Sequence, residues 1–264
     1  DVDRSRGLGD VYKRQGMIGQ KLLNLLLKKE KLNNQKISEI TLFDIIEAPY
    51  PNNTNIPIQS KSGDISDIDV SENLILSKPD IIFHLAAIVS GQAEQEFDLG
   101  WDINAKGSWG LFEAIRHQGE NYCPRLVFTS SIAVFGAPFP DKIPDDFFTT
   151  PLTSYGAQKA ISELLLADYS RKKMIDGVSI RLPTICVRPG KPNLAASGFF
   201  SGIIREPLND QEAILPVNPD VRHWHATPRA AAGFLVHAAE MDTSNLNDRI
   251  TSVSYTHLTL PTNA

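Results

Sequence analysis

An α/β domain built on a doubly wound parallel sheet accounts for this sequence, and three features carry that reading. Short apolar runs end in small or polar residues: Ile40-Thr41-Leu42-Phe43 closes on Asp44, Ile81-Ile82-Phe83 on His84-Leu85-Ala86-Ala87, and Leu126-Val127-Phe128 on Thr129-Ser130-Ser131. Near-continuous apolar runs of that length suit strands buried on both faces, as parallel strands are. Helix-like stretches alternate with them, beginning with residues 21–32, whose Leu22, Leu23, Leu26 and Leu27 form one stripe. Glycines at 16 and 19 open that first helix, as a phosphate-binding turn would.

Taken in order, residues 37–44 read as a strand ending in an acid, and 49–57, rich in Pro and Asn, as a loop. A further strand begins at 58–60 and leads to the turn Gly63-Asp64-Ile65-Ser66-Asp67. Residues 80–87 form a buried strand that closes on small side chains, and His84 within it reads as a packed core residue with no catalytic role. The loop from Ser90 to Asp98 leads into a helix over 102–117 with Leu111, Phe112 and Ile115 inward. Residues 138–151, rich in Pro, Asp and Phe, read as an active-site loop. A helix from Ser154 and a strand over 178–185 follow.

Composition bounds the possibilities. With 264 residues, 42% of them hydrophobic and 22% charged, the chain holds one substantial domain and a small appendage. A net charge of -5 and a pI near 5.7 argue against nucleic acid or an anionic membrane as partner, while local Arg clusters still suit small anions. Cys123 and Cys186 are too few for a disulfide framework or a Cys-rich metal site, so a reducing cytoplasm and no metal are expected. No apolar run approaches the ~18 residues of a membrane span, and the first residues lack the apolar core of a secretory signal. Residues 1–15 and 251–264 read as translated sequencing adapter, with native sequence expected from Gly16 to Ile250. Polar residues 7–15 stand where a dinucleotide-binding fold needs a buried first strand.

The chemistry centres on Ser154-Tyr155-Gly156-Ala157-Gln158-Lys159. On a helix, Tyr155 and Lys159 lie at i and i+4, so phenol and ammonium share a face, and the cation favours the phenolate. Such a pair taken singly is ordinary surface chemistry. With Ser130-Ser131 at a strand end, Leu42-Phe43-Asp44 and His84-Leu85-Ala86-Ala87 in this order, the chain resembles the extended short-chain dehydrogenase/reductase family, the NAD-dependent epimerases and dehydratases, over residues 16–250.

That resemblance implies a Rossmann-type fold and a catalytic set of Ser131, Tyr155 and Lys159, with Ser130 as the reserve hydroxyl. It implies NAD contacts at Gly16, Met17 and Ile18 under the pyrophosphate, Asp64 and Ile65 at the adenine, and Leu85, Ala86 and Ala87 along the sheet. Asn104 supports Lys159, Tyr155 and Lys159 themselves touch the cofactor, and Pro183 and Thr184 border the nicotinamide. The first glycine of the loop is expected near Lys13. Asp44, past the glycines at a strand end, is placed to bind ribose hydroxyls and to repel a 2′-phosphate, which points to NAD rather than NADP. The family pairs its helices in dimers, so a homodimer is expected.

Past residue 185 the chain departs from nucleotide-sugar epimerases. Cys186-Val187-Arg188-Pro189-Gly190-Lys191-Pro192-Asn193 and Arg222-His223-Trp224-His225 resemble the D-erythronate dehydrogenase branch. Arg188 offers a planar fork for a carboxylate, with Ser90, Ser131 and Tyr155 toward the hydroxyls; Arg222, Trp224 and His225 close the far side. The expected organisation is an NAD-binding domain over 16–185 and an incomplete substrate-binding portion over 186–250. The expected reaction is oxidation of a short sugar acid. A nucleotide-sugar epimerase that retains its NAD, a non-catalytic NAD-binding protein and an inactive fragment are the alternatives.

Overall fold

The first helix, α1 (Met17–Lys29), buries Leu22, Leu23 and Leu26 and begins with Gly16, which supplies no side-chain cap. The sequence pattern ran this helix on to Leu32. It stops instead at Glu30, whose φ of 54° is left-handed, and the chain folds into a small antiparallel hairpin, β1 (Lys31–Leu32) and β2 (Gln35–Lys36). Asn33 and Asn34 at its turn have φ of 49° and 62°. Both central residues of a type I′ turn need positive φ, which Asn tolerates, so the Asn pair was the signal to read. These observations come from a computed structural model that describes residues 16–144, 147–188, 194–244, 246 and 251–252; the proposed adapter ends lie almost wholly outside them.

Strands β3 (Ile40–Asp44) and β4 (Ile58–Ser62) pair in parallel, with Asp44 opposite Ser62. Helix α2 (Ile68–Ile75), capped by Asp67 accepting from Asp69 N–H at 3.0 Å, leads to β5 (Ile81–His84). Strands β6 (Arg125–Ser131) and β7 (Asp176–Leu182) continue the second sheet, whose order is β5-β6-β7 with Thr251–Ser252 beyond β7. Among the described residues the β3–β4 and β5–β6–β7 ladders are both parallel, as the doubly wound sheet expected from the sequence requires; residues 7–15, at the expected first-strand position, lie outside the described residues.

Alternation along β6 sends its side chains into two cores. Val127 joins Val178 and Ile180 of β7, Leu22 and Leu26 of α1, and Ala231, Leu235 and Ala238 of α8 (Pro228–Glu240). Leu126 and Phe128 turn to the other face, against Phe112, Ile115 and Leu166. Helices cover both faces, as a doubly wound architecture requires. On that second face a helical run comprises α3 (Ser90–Gln95), α4 (Phe97–Gly100), a π-helical stretch Trp101–Lys106 and α5 (Gly107–Arg116). Beside it lies α6 (Ser154–Arg171), capped by Thr153 accepting from Gly156 N–H at 3.1 Å.

The strand expected over 178–185 breaks at Pro183, which has no N–H for a ladder. Past it, β8 (Thr184–Ile185) pairs in parallel with β9 (His225–Ala226), and α7 (Phe199–Arg205) lies in the intervening segment. Residues 228–240, grouped by sequence with the substrate portion, return to the main core as α8. Thr227 caps that helix by accepting from Ala230 N–H at 3.1 Å, and Pro228 occupies its first turn. No helix among the described residues is long and apolar enough to cross a membrane.

Candidate active site

Ser131 ends β6, and Tyr155 opens α6 close enough for their hydroxyls to hydrogen-bond. Gly156 allows this approach: a Cβ there would stand 2.2 Å from the Ala133 carbonyl oxygen, far inside contact distance. Ser131 Oγ accepts from Ala133 N–H at 3.1 Å, which leaves its own proton to give to Tyr155 or to a substrate oxygen. One turn along α6, Lys159 is 1% exposed, with Nζ 4.7 Å from the Phe128 ring centroid and 5.8 Å from that of Tyr155. The next turn brings Glu163, which holds Arg181 of β7 through contacts of 2.9 and 2.7 Å; both are buried. Arg181 in turn lies 4.8 Å over the Phe135 ring.

The electrostatics differ from the sequence expectation. Burial pushes the Tyr155 phenol up to about 12, against the opposing pull of the Ser131 hydrogen bond, rather than down toward neutrality. The same burial brings Lys159 down to about 7, despite the Glu163 carboxylate, which raises it. A lysine that titrates near neutrality is not the fixed cation on which the expectation rested.

Ser131, Tyr155 and Lys159 border one cavity, of about 3250 Å³, that also runs past Gly16, Met17, Ile18, Asp44, Asp64, Ile65, Leu85, Ala86, Ala87, Pro183 and Thr184. The same cavity also borders Leu22, Ile40, Leu42, Ile81 and Phe83 of α1, β3 and β5. Asp44 Oδ1 accepts from Ile45 N–H at 2.7 Å, and Asp64 Oδ1 from Ser66 N–H at 2.9 Å. Asn104 lies behind the wall, fully buried, accepting from Ile88 N–H at 2.9 Å and donating to Gln158 Oε1 at 2.8 Å.

On the substrate side Ser90 and Arg188 border the same cavity, joined by Arg205, Arg222 and His223. Ser90 Oγ accepts from Ala196 N–H at 3.1 Å, tying the loop before α7 to the start of α3. Arg205 donates to the Arg188 carbonyl at 2.8 Å and pairs with Glu206. His223 Nε2 meets Thr184 Oγ1 at 2.7 Å and its ring stacks on Phe200 at 4.6 Å. His225 lies beside it, 3.6 Å from Cys186 Sγ. Residues 189–193 of the expected carboxylate turn are outside the described residues.

The model of the NAD dependent epimerase/dehydratase family matches residues 14–240. The chain belongs to that family. A D-erythronate dehydrogenase from Cupriavidus necator is 45% identical to it over 238 residues, 89% of this chain and 72% of the relative. The Haemophilus influenzae D-erythronate dehydrogenase is 41% identical over 227 residues, 86% of this chain and 70% of the relative. Among solved structures, the nucleoside-diphosphate-sugar epimerase from Agrobacterium tumefaciens superposes with a TM-score of 0.85 at 53% identity, covering 90% of this chain and 71% of that one.

The site of this family member suits the dinucleotide its family is named for. No acid occupies the first turn of α1, so its leading N–H groups present the positive end of the helix to an anion. Ala86 and Ala87, just past β5, present small side chains to the cavity, and Ser130 Oγ, in a residue 2% exposed, has no partner among the described residues although Ser130 borders the cavity. Sequence reading named His223 within a motif but gave no role to it or to Glu163. Glu163 had a signal, lying one further turn along the Tyr155-Lys159 stripe; nothing local to His223 placed it beside Thr184.

Proposed function

We propose that this chain oxidises D-erythronate at its C2 hydroxyl to 2-dehydro-D-erythronate, with Ser131, Tyr155 and Lys159 as the catalytic set. The observation that carries this reading is the grouping of those three side chains on one cavity, in a chain 45% and 41% identical to two D-erythronate dehydrogenases. NAD, when bound, supplies the hydride acceptor. Ser131 holds the reacting oxygen through the proton that its contact with Ala133 leaves available. Tyr155 exchanges the hydroxyl proton. Its protonated phenol is set to give a proton to a carbonyl oxygen; in the oxidative direction it must first release that proton to solvent, a loss that protonation of Lys159 would favour. Arg188, Arg222 and Ser90 all border the cavity, and on this reading the guanidinium groups hold the carboxylate while Ser90 meets a hydroxyl. The substrate-binding portion on this reading is residues 183–227.

The 53% identical epimerase structure favours a second reading, interconversion of a nucleotide sugar with NAD retained. NADH formation with D-erythronate, L-threonate and UDP-sugars separates the two. Erythronate-dependent NADH, lost by at least about a thousandfold in Tyr155→Phe while NAD still binds, is the expected result. UDP-sugar conversion without net NADH would replace the first reading by the second.

We also infer a homodimer and a reducing cytoplasmic setting. Phe97 is 59% exposed and Leu164 69%, and Trp101 and Trp109 are also exposed on the helical face that α6 shares. A second copy would cover them. Light scattering on the purified chain should give twice the monomer mass, and a monomer throughout would end that inference. Cys123 and Cys186 are both free thiols, as a reducing compartment would keep them.

A further inference from the structure

Behind the Tyr155–Lys159 pair runs a chain of buried polar groups, of which hydride transfer assigns no task to His84 and Ser108. His84, at the end of β5, is 4% exposed, and Ser108 and Asn104 are 0% exposed. Ser108 Oγ donates its single proton to the Asn104 carbonyl at 2.7 Å. The 2.9 Å contact between Ser108 Oγ and His84 Nε2 must therefore be donated by the imidazole, which makes His84 the Nε2–H tautomer. Burial and the nearby Lys159 bring its pKa down to about 3, so the ring is neutral. It packs 5.6 Å from the Phe128 ring, the same ring that carries Lys159 Nζ.

Asn104 sits in the π-helical stretch, where Gly107 N–H reaches back to the Asp102 carbonyl. The Asn104 carbonyl accepts from Ser108 Oγ; Ser162 Oγ lies 3.3 Å from the same carbonyl and nearer, at 3.0 Å, to the Gln158 carbonyl, the better acceptor for its one proton. Its amide clasps the Ile88 backbone on one side, accepting at 2.9 Å, and Gln158, the neighbour of Lys159, on the other at 2.8 Å. Ile88 borders the cavity two residues before Ser90. A histidine serving only as core volume has no need of this donor, and a relay in which each group depends on the next is sensitive to loss of its first member.

We propose that His84 is a positioning residue for the reaction: its Nε2–H, through Ser108, sets Asn104, which holds the Ile88 backbone at the cavity wall and Gln158 beside Lys159. The kinetic arm rests on the dehydrogenase reading above; the spectroscopic arm does not.

Three variants test it. His84→Gln carries an amide nitrogen near the place of Nε2, His84→Asn carries one near Nδ1 instead, and His84→Leu fills the volume without a donor. With NAD affinity measured by fluorescence titration and unchanged, His84→Leu and His84→Asn should lose at least about tenfold in kcat at unchanged KM, and His84→Gln should recover most of it. Adding Ser108→Ala to His84→Leu should cost no further activity. Nitrogen-15 spectra of the wild-type protein should show a neutral Nε2–H ring that does not titrate near neutrality, and His84→Leu should shift the Ile88 and Asn104 resonances. If His84→Leu does not fold, the Gln and Asn pair decides alone. Equal kcat in Gln and Asn variants, wild-type kcat in a folded His84→Leu, or an Nδ1–H ring would each overturn the proposal. Absence of erythronate turnover in the wild-type protein, with the tautomer and the resonance shifts as expected, would remove the substrate reading and leave the relay standing.

Discussion

Lys159 shows how much one buried amine can control. Its pKa in the folded chain is about 7 against an ordinary value of 10.5, with burial as the leading cause. The unfolded chain therefore holds a proton that the native state lacks between those values, and stability rises with pH across that window. Below about pH 7 the destabilisation is fully present, and it fades as pH rises toward 10.5. Replacing Lys159 by Met should raise the stability of the cofactor-free chain by on the order of 3 kcal/mol at neutral pH, with the gain vanishing in strong alkali, as read by urea unfolding at a series of pH values. Turnover should be lost in the same variant. The Tyr155 and Lys159 positions were legible in the sequence because i and i+4 spacing is local. The direction of the phenol shift was not, because desolvation depends on Phe128 and on β6 beneath the helix, and no local pattern reports it.

At the scale of elements, α8 is held by Arg125 at the start of β6. Its guanidinium donates to the carbonyls of Ala238, Ala239 and Met241 at 2.9, 3.1 and 3.0 Å and pairs with Asp176 at 2.7 Å. Terminal helix carbonyls have no intrahelical partner, so one planar cation satisfies several at once. Arg125→Met should lower stability by about 3 kcal/mol in urea unfolding while leaving the Tyr155 environment intact. An effect below about 0.5 kcal/mol would mean that water replaces the contact fully. The strands and most helices could be read from apolar runs and 3.6-residue stripes, with edges off by a few residues. The β1–β2 hairpin could have been read from Asn33 and Asn34. The π-helical stretch could not, since Trp101-Asp102-Ile103-Asn104 carries no mark of its register; Ser108, from the next turn along the chain, satisfies the Asn104 carbonyl there.

For the whole molecule, one buried group, His84, and one partly exposed group, Glu113, combine into acid sensitivity. His84 has a folded pKa of about 3 against 6.5, so the unfolded chain takes up a proton that the native chain refuses between those values. Glu113, held down to about 2 by Arg116 and Tyr169, adds a second proton below 4.5. Stability should fall as pH drops from about 6.5 toward 3, and His84→Gln should remove close to one proton from that slope in pH-resolved unfolding. Fold class and the course of the cavity were legible because each strand ends in the residues that line it. The return of α8 to the core was not, since its Ala-rich stripe has no neighbour in sequence that names its partner.

That return has a consequence for how such proteins diversify. The segment after Pro183 leaves the core, forms the short β8–β9 pair and α7, and rejoins at the Thr227 cap, so it hangs from the scaffold by both ends. Its side chains contribute little to the two apolar cores, and on the proposed reading they are the ones that meet substrate. Mutations there are filtered by what they recognise, and mutations in the sheet by whether the chain folds at all. A scaffold arranged in this way can exchange one small molecule for another by rewriting a single cassette, which suits a family whose solved members at 53% and 26% identity are described as a nucleoside-diphosphate-sugar epimerase and an L-threonine 3-dehydrogenase.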